Sequence, residues 1–306
     1  MRVSKNRTEF TFVFSRPEEV DMKLLGFLMA ATVTALVGIA TVEAADCPKD
    51  SVRSGSVCID RYEASVWQIK PQGGATSLSN QQQGVVDNIR AGTVTLADLN
   101  KIGAVQLGVN PTFPPEFVAA GCPASGAGCT NVYAVSLPGV RPSGYMTWFQ
   151  AAAAARNSFK RLPTNAEWTV AALGTPDGVA DDGATTCNTS TKSEGVDVVV
   201  NTGSRSQCVS DVGVFDMVGN VIEWVADWVP RSIETDVQCG HNNWQGDSLH
   251  GYQCLFGAAP SGDPGALWRG SGVGDGDGSQ AGVYAISGLN SPAGTFGFNL
   301  GFHAVR

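Results

Sequence analysis

The sequence predicts one α+β domain of loop-rich build, with short strands and two main helices, and three observations carry that expectation. Two segments, "MTWFQAAAAARNSF" and "RLPTNAEWTVAAL", combine helix formers with helix-start signals. Several short runs of β-formers stand between turn residues. No internal repeat appears, and no Pro/Ser linker divides the chain beyond its N-terminal segment. With 306 residues, 43% of them hydrophobic, the chain is long enough to bury a sizeable core. Its net charge of -8 and the lack of any dense Lys/Arg cluster argue against nucleic-acid binding. Small-molecule, glycan and protein partners stay open.

Residues 1–44 read as an N-terminal extension followed by a signal peptide. "MRVSKNRTEFTFVFSRPEEVD" is polar and mixed in charge, whereas "MKLLGFLMAATVTALVGIATVEAAD" from Met22 has a lysine, a long apolar run and then small residues. Val42 and Ala44 suit the −3 and −1 positions of a cleavage site, so cleavage is expected after Ala44, with Met22 as the true start and no transmembrane span left afterwards. A retained anchor is the alternative, since the run from Leu24 to Val42 approaches the ~20 residues that span a bilayer. The domain then covers 45–306, in an exported protein that is periplasmic, at the cell surface or secreted.

All eight cysteines, Cys47, Cys58, Cys122, Cys129, Cys187, Cys208, Cys239 and Cys254, lie beyond that site. An even number in an exported chain reads as disulfides, and nearest-neighbour pairing is the simplest connectivity. Cys239, His241, His250 and Cys254 would also make a zinc set, but the spacing has neither a Cys-x-x-Cys nor a His-x-x-x-His arm, so a Cys239–Cys254 bridge is favoured.

The elements follow in order. "CPKDSVRSGSVCIDRYEASVWQI" suggests a disulfide-clipped, hairpin-like start and a strand over Cys58 to Ile69. Residues 70–121 hold short elements and turns whose type the pattern leaves open. Thr147 can cap the alanine-rich helix, and Thr164 with Glu167 forms a capping box for the second. From Gly174 to Gly213 the chain reads as long loops pinned by Cys187 and Cys208, with a short apolar run at Val196 to Val200. Gly219 and Asn220 suit a turn with positive φ, and Trp224 and Trp228 share one face if "VFDMVGNVIEWVADWV" is helical. Glu223 and Asp227 would make an acid–base pair. The favoured reading is structural, with Glu223 accepting buried backbone hydrogen bonds beside the tryptophans.

"IDRYEASV" at Ile59 to Val66, "RLPTNAEWTVAA" at Arg161 to Ala172, "DMVGNVIEW" at Asp216 to Trp224 and "GFHAVR" at the end occur in the order seen in the formylglycine-generating enzyme (sulfatase-modifying factor) family, which this chain resembles. The resemblance implies a C-type-lectin-like variant fold in one domain. It also implies, for the oxidases of the family, a copper-binding cysteine pair shortly before the terminal motif. This chain has no cysteine after Cys254, and "QAGVYAISGLN" at that place has no thiolate, imidazole or carboxylate for a soft metal. Copper and catalysis are therefore not expected, and no catalytic residue or metal ligand is assigned; a structural calcium ion stays open. A Ser-His-Asp hydrolase built on His241 or His250 lacks a G-x-S-x-G elbow. His303 stands where the family has an arginine.

The glycine-rich tail, 270–306, fails as an EF-hand, because Gln280 falls where glycine is needed and Ile286 where glutamate is needed. Its Gly276, Gly278 and Ala281 match a dinucleotide loop, but too little chain remains for a βαβ unit. The tail instead resembles the C-terminal variable region of proteins diversified by retroelements, in which adenine randomisation cannot produce Lys, Glu, Gln, Met or Trp. From Ser271 to Arg306, Gln280 is the only residue of that set. That resemblance implies a non-catalytic binder of a protein or glycan at a cell or phage surface. "AGVYA" and "LGF" would be framework strands, and Val273, Asp275, Asp277, Ser279, Tyr284, Ser287, Asn290, Ser291, Thr295, Phe296, Phe298 and Asn299 would form the contact face. The alternatives are an oxidase of the formylglycine-generating type, or a degenerate relative of it, and a structural envelope protein.

Overall fold

The structure, a computed structural model, describes residues 46–110, 115–190, 192–193, 196–230, 253–254, 264–274, 281–294 and 297–306. The signal segment, Met22 and the expected cleavage after Ala44 lie outside these residues. So do Cys239, His241 and His250. Among the described residues no helix is long and apolar enough to cross a membrane.

In chain order the elements are β1 (Ser51–Ser54), β2 (Val57–Asp60), β3 (Ala64–Gln68), α1 (Asn80–Ala91), α2 (Leu96–Lys101), β4 (Val105–Leu107) and α3 (Glu116–Ala119). There follow β5 (Val132–Ser136), α4 (Trp148–Asn157), α5 (Asn165–Ala172), β6 (Lys192–Ser193), β7 (Val196–Asp197) and β8 (Ile222–Val229). The last are β9 (Gln253–Cys254), β10 (Gly265–Arg269), β11 (Ile286–Asn290) and β12 (Leu300–Gly301). The result is the α+β, loop-rich architecture expected, with short strands and few helices.

Both expected helices begin where their caps predict. Thr147 and Thr164 accept from the backbone N–H groups of Gln150 and Glu167, and each of those side chains returns a bond to the cap backbone. The alanine run of α4 is a packing device as well as a helix former: Ala151 and Ala153 to Ala155 are buried against β5 and the C-terminal segment, where a larger side chain would not fit. A third helix of comparable length, α1, occupies the stretch whose type was left open. Ser79 and Gln82 close a capping box at its start, and Gly92 at φ 68° ends it.

Two sheets organise the core. A three-stranded antiparallel sheet, β4-β3-β5, carries α1 and α4; a five-stranded mixed sheet runs β12-β8-β10-β11-β9. The strand expected over Cys58 to Ile69 is corrected to two, β2 and β3, because Arg61 to Glu63 bend the chain so that the Glu63 carboxylate reaches Asn220 and Val221. The segment carrying Trp224 and Trp228 is also corrected, from helix to the strand β8. A four-residue spacing keeps two side chains on one face in a strand as it does in a helix.

The final residues stitch the two ends of the domain together. Cys58 and Arg306 exchange backbone hydrogen bonds, Asp60 N–H donates to the Ala304 carbonyl, Ala64 N–H to that of Phe302, and Arg161 and Val305 bond reciprocally. Side chains fasten the same seam. Lys160 donates to Asp50 at 2.8 Å and to Asp60 at 2.6 Å, and Arg306 donates to Asp50 at 2.7 Å, all of them largely buried.

Among the described residues three disulfides follow the nearest-neighbour pattern, Cys47–Cys58, Cys122–Cys129 and Cys187–Cys208, while the expected Cys239–Cys254 bridge lies outside them. The last closes the longest loop, with a sequence separation of 21, and pins a segment with little regular structure. In the chain-entropy picture such a loop contributes about 3 kcal/mol. Replacing Cys187 and Cys208 together by alanine is therefore expected to lower the melting temperature by roughly 6–12 °C, measured by calorimetry; an unchanged melt would show that the loop is held without its bridge.

Candidate functional site

The sequence motifs converge on one buried polar cluster rather than on an open cleft. Glu63 comes from "IDRYEASV", Trp168 from "RLPTNAEWTVAA", Asp216, Asn220 and Glu223 from "DMVGNVIEW", and His303 from "GFHAVR", and all six are essentially inaccessible to solvent. Glu63 accepts from Asn220 Nδ2 at 2.6 Å and from the Val221 N–H at 3.1 Å. Asn220 in turn accepts from Asn188 Nδ2 and the Val200 N–H, so one amide links three chain segments. Asn220 and Gly219 take the positive φ expected of their turn, 56° and 77°. A Cβ at Gly219 would sit 2.5 Å from the Asn188 carbonyl oxygen, so the turn also needs glycine for space.

Glu223 is the centre of the other half. Its Oε2 accepts from Trp168 Nε1 at 2.9 Å and from the His303 backbone N–H at 3.3 Å, and His303 Nδ1 lies 2.8 Å from it. The structural reading of Glu223 therefore holds. Asp227 accepts from the Asn165 N–H at the start of α5, so neither member of the proposed acid–base pair is aimed at an open cleft. Arg269 lies 4.6 Å over the Trp168 ring and donates to the Val283 carbonyl at 2.7 Å, so the first strand of the tail is tied to the same cluster.

Burial dominates the ionisation of these groups. It raises Asp60 and Asp216 to about 6 each, against the pull of Lys160 on the first and the hydrogen bonds from Gly203 and Thr202 on the second. It raises Glu63 further, helped by Asp216 and Glu223 nearby. Burial alone would lower His303, but Glu223, Asp60 and Asp216 together outweigh it and the net displacement is upward. Arg269 falls to about 10 through burial.

The tail is held at defined points. Gly270 N–H donates to the Ala285 carbonyl, Ile222 N–H to that of Asn299, Tyr145 N–H to that of Gly297 and Trp148 N–H to that of Pro292. A Cβ at Gly144 would overlap the Phe298 carbonyl oxygen, so residues 297–299 lie directly on the loop before α4. Of the framework expected, "LGF" contains β12, while "AGVYA" is a turn leading into β11.

Of the expected contact residues, Tyr284 is 43% exposed. Asn290 and Ser291 at the end of β11 are half-buried, as are Phe298, which packs on Val199, Val221 and Val273, and Asn299, which donates to the Val273 carbonyl. Val273 and Ser287 are buried within the framework. Asp275, Asp277, Ser279, Thr295 and Phe296 lie outside the described residues. Sequence reasoning missed an aromatic cluster beside this face: Trp148, Phe149 and Trp228 meet edge to face with ring centroids 5.1–5.7 Å apart. The four-residue repeat of Trp148, Ala152 and Arg156 along one helix stripe was the available signal.

A loop-rich α+β domain, built on these motifs and closed by its own C-terminal segment, defines a lectin-like scaffold. The chain belongs to the sulfatase-modifying factor enzyme 1-like domain family, whose profile matches residues 32–266. No curated protein matches it. Among solved structures it is similar to PvdO from Pseudomonas aeruginosa, with 18% identity, 85% of this chain and 89% of that one covered, and a TM-score of 0.37. It is also similar to the Major Tropism Determinant U1 variant, with 19% identity, 65% and 48% covered and a TM-score of 0.35. The third likeness is to Treponema denticola variable protein 1, with 20% identity, 54% and 70% covered and a TM-score of 0.28. The chain spans about half the length of the Major Tropism Determinant structure it matches.

The place where the resemblance puts a copper-binding cysteine pair carries no such ligand. Residues 281–290 form a turn and β11 and offer no thiolate, imidazole or carboxylate, and among the described residues no group of three metal-ligating side chains comes together.

The titrations set a pH dependence of stability. Asp60 and Asp216 hold protons in the folded chain up to about 6 that the unfolded chain releases near 3.8, so folding loses stability as pH rises between those values. The His303 contribution is complete below 6.5 and is lost as pH rises through its higher folded value. Glu167, held at about 2 by Arg161, acts in the opposite sense but only below 4.5. A tenfold change in a group's proton affinity on folding corresponds to about 1.4 kcal/mol, and 1 kcal/mol to about 2–4 °C in a domain of this size. The melting temperature is expected to be several degrees higher at pH 5 than at pH 8, and Asp216→Asn to shrink that difference; a melt that rises with pH contradicts it.

Proposed function

We propose that this chain is an exported, non-catalytic ligand-binding protein whose C-terminal face, within residues 270–306, takes a protein or glycan ligand and is varied by a diversity-generating retroelement. The observation that carries the reading is the composition of the tail: from Ser271 to Arg306 only Gln280 belongs to the residue types that adenine randomisation cannot produce. The rigid support of the tail favours it too. Val283, Pro292, Gly297 and Asn299 are bonded to residues outside the tail, while Tyr284 is exposed and Asn290, Ser291, Phe298 and Asn299 are partly so. Tyrosine and phenylalanine supply contact area with few torsions to freeze, and asparagine and serine supply adaptable hydrogen bonds. Export is supported by three disulfides, which persist in oxidising compartments.

Membership of the sulfatase-modifying factor family favours a second reading, an oxidase that converts a substrate cysteine to formylglycine, with its chemistry moved from the usual place. The lack of any cysteine after Cys254 weighs against it.

Sequencing the gene and its flanks separates the two. The binder reading expects a non-coding near-copy of the 3′ end beside a reverse-transcriptase gene, differing from the coding copy only at template adenines. An identical tail in every isolate, with no such copy, overturns it. Formylglycine produced from a cysteine-containing sulfatase peptide by the copper-treated protein would establish the oxidase instead.

A further inference from the structure

A cavity of about 460 Å³ opens between α4, the disulfide-closed turn at Ser125 and Gly126, the segment Lys160 to Leu162, and Ala226 of β8. Its volume lies in the range of sites for one small molecule, about 300–1,000 Å³. Trp148, Ala152 and Arg156 line it at four-residue spacing, with Phe149 and Ala153 on the adjacent stripe. The two alanines form the floor and leave space that a larger side chain would fill.

The two ends of this stripe differ in chemistry. At one end Trp148 and Phe149 meet edge to face, and Trp228 closes on both. The Trp148 indole N–H is already donated to the Val225 carbonyl at 2.7 Å, so its ring offers carbon surface and little polarity. At the other end stands Arg156, exposed and in no ion pair among the described residues. The other two cations of the lining are matched, Lys160 by Asp50 and Asp60 and Arg161 by Glu167 at 2.7 Å. None of the lining residues is acidic. Eight residues of helix put Arg156 about 12 Å along the axis from Trp148.

We propose that this cavity binds an amphipathic anion, a ring-bearing carboxylate roughly 10 Å long, with its ring against Trp148 and Phe149 and its carboxylate on Arg156. The site adjoins the C-terminal segment at Trp148 but does not rest on the reading of that segment as a binding face.

The test is calorimetric titration of the full chain with three probes of matched shape, 4-phenylbutyrate, 4-phenylbutanol and 4-phenylbutylamine. The carboxylate is expected to bind saturably, one per chain, and the alcohol and the amine at least about tenfold more weakly. Arg156→Ala should reduce carboxylate binding to the level of the alcohol and leave alcohol binding unchanged. Ala152→Trp should fill the cavity and abolish binding of the carboxylate, with the melting temperature checked in both variants. Binding of the amine as tight as that of the carboxylate, an Arg156→Ala variant with undiminished affinity, or no saturable binding of 4-phenylbutyrate overturns the proposal. Arg156 is exposed, so its variant decides the matter even if Ala152→Trp does not fold.

Discussion

A carboxyl group that loses its water must be given other donors, and Glu223 sits where losing water is unavoidable: on β8, between β12 and β10 of the five-stranded sheet, with no exposed surface. The donors it finds come from α5, through the Trp168 indole, and from the C-terminal segment, through the His303 backbone, with the His303 imidazole 2.8 Å away. One buried carboxyl group thereby fixes the helix, the strand and the tail to a common point. Glu63 does the same for the first strands and the Asn220 turn. Removing one partner of such a pair leaves the other buried and unsatisfied, which is costlier than losing a contact between apolar groups. The arrangement therefore selects a single packing. It also accounts for the polar and charged residues of these motifs: they are joints of the framework.

How much of this was legible in the sequence depended on the range of the interaction. Capping boxes span three residues, so Thr147 and Thr164 announced their helices directly. Disulfides closing short loops were likewise readable as neighbours. The Gly219 and Asn220 turn was visible because few residue types tolerate positive φ. The helix α1 escaped because Gly84 and three glutamines dilute its apolar face, although Ser79 and Gln82 already formed a start signal. The nature of β8 escaped because tryptophans four apart share a face in either secondary structure. The buried cluster was out of reach altogether, since Glu223 and His303 are 80 residues apart and Glu63 and Asn220 are 157 apart. For the candidate binding face, the sequence located the tail, and the structure then sorted its residues. Val273 and Ser287 turn inward, while Tyr284 turns out.

The described part of the tail is anchored at both ends. The tail leaves the cluster at Arg269, which is clamped over Trp168, and rejoins it at Leu300 and His303. Between those points its backbone is pinned at intervals, and the aromatic group of α4 and β8 flanks it through the Trp148 to Pro292 bond. Side chains outside these anchors can change without disturbing the buried charges.

The seam between the two ends of the domain governs when folding can finish. Arg306 bonds Asp50 across 256 residues of sequence, and Ala64, Asp60 and Cys58 all wait for partners among residues 302–306. The N-terminal hairpin lacks its neighbouring strand until residues 302–306 reach it across the whole domain. Local units, the helices and the short disulfide loops, can form before that closure. Such long-range closure is intrinsically slow. Until then the hairpin and the first sheet expose unpaired edges, the feature that makes partly folded chains prone to aggregation.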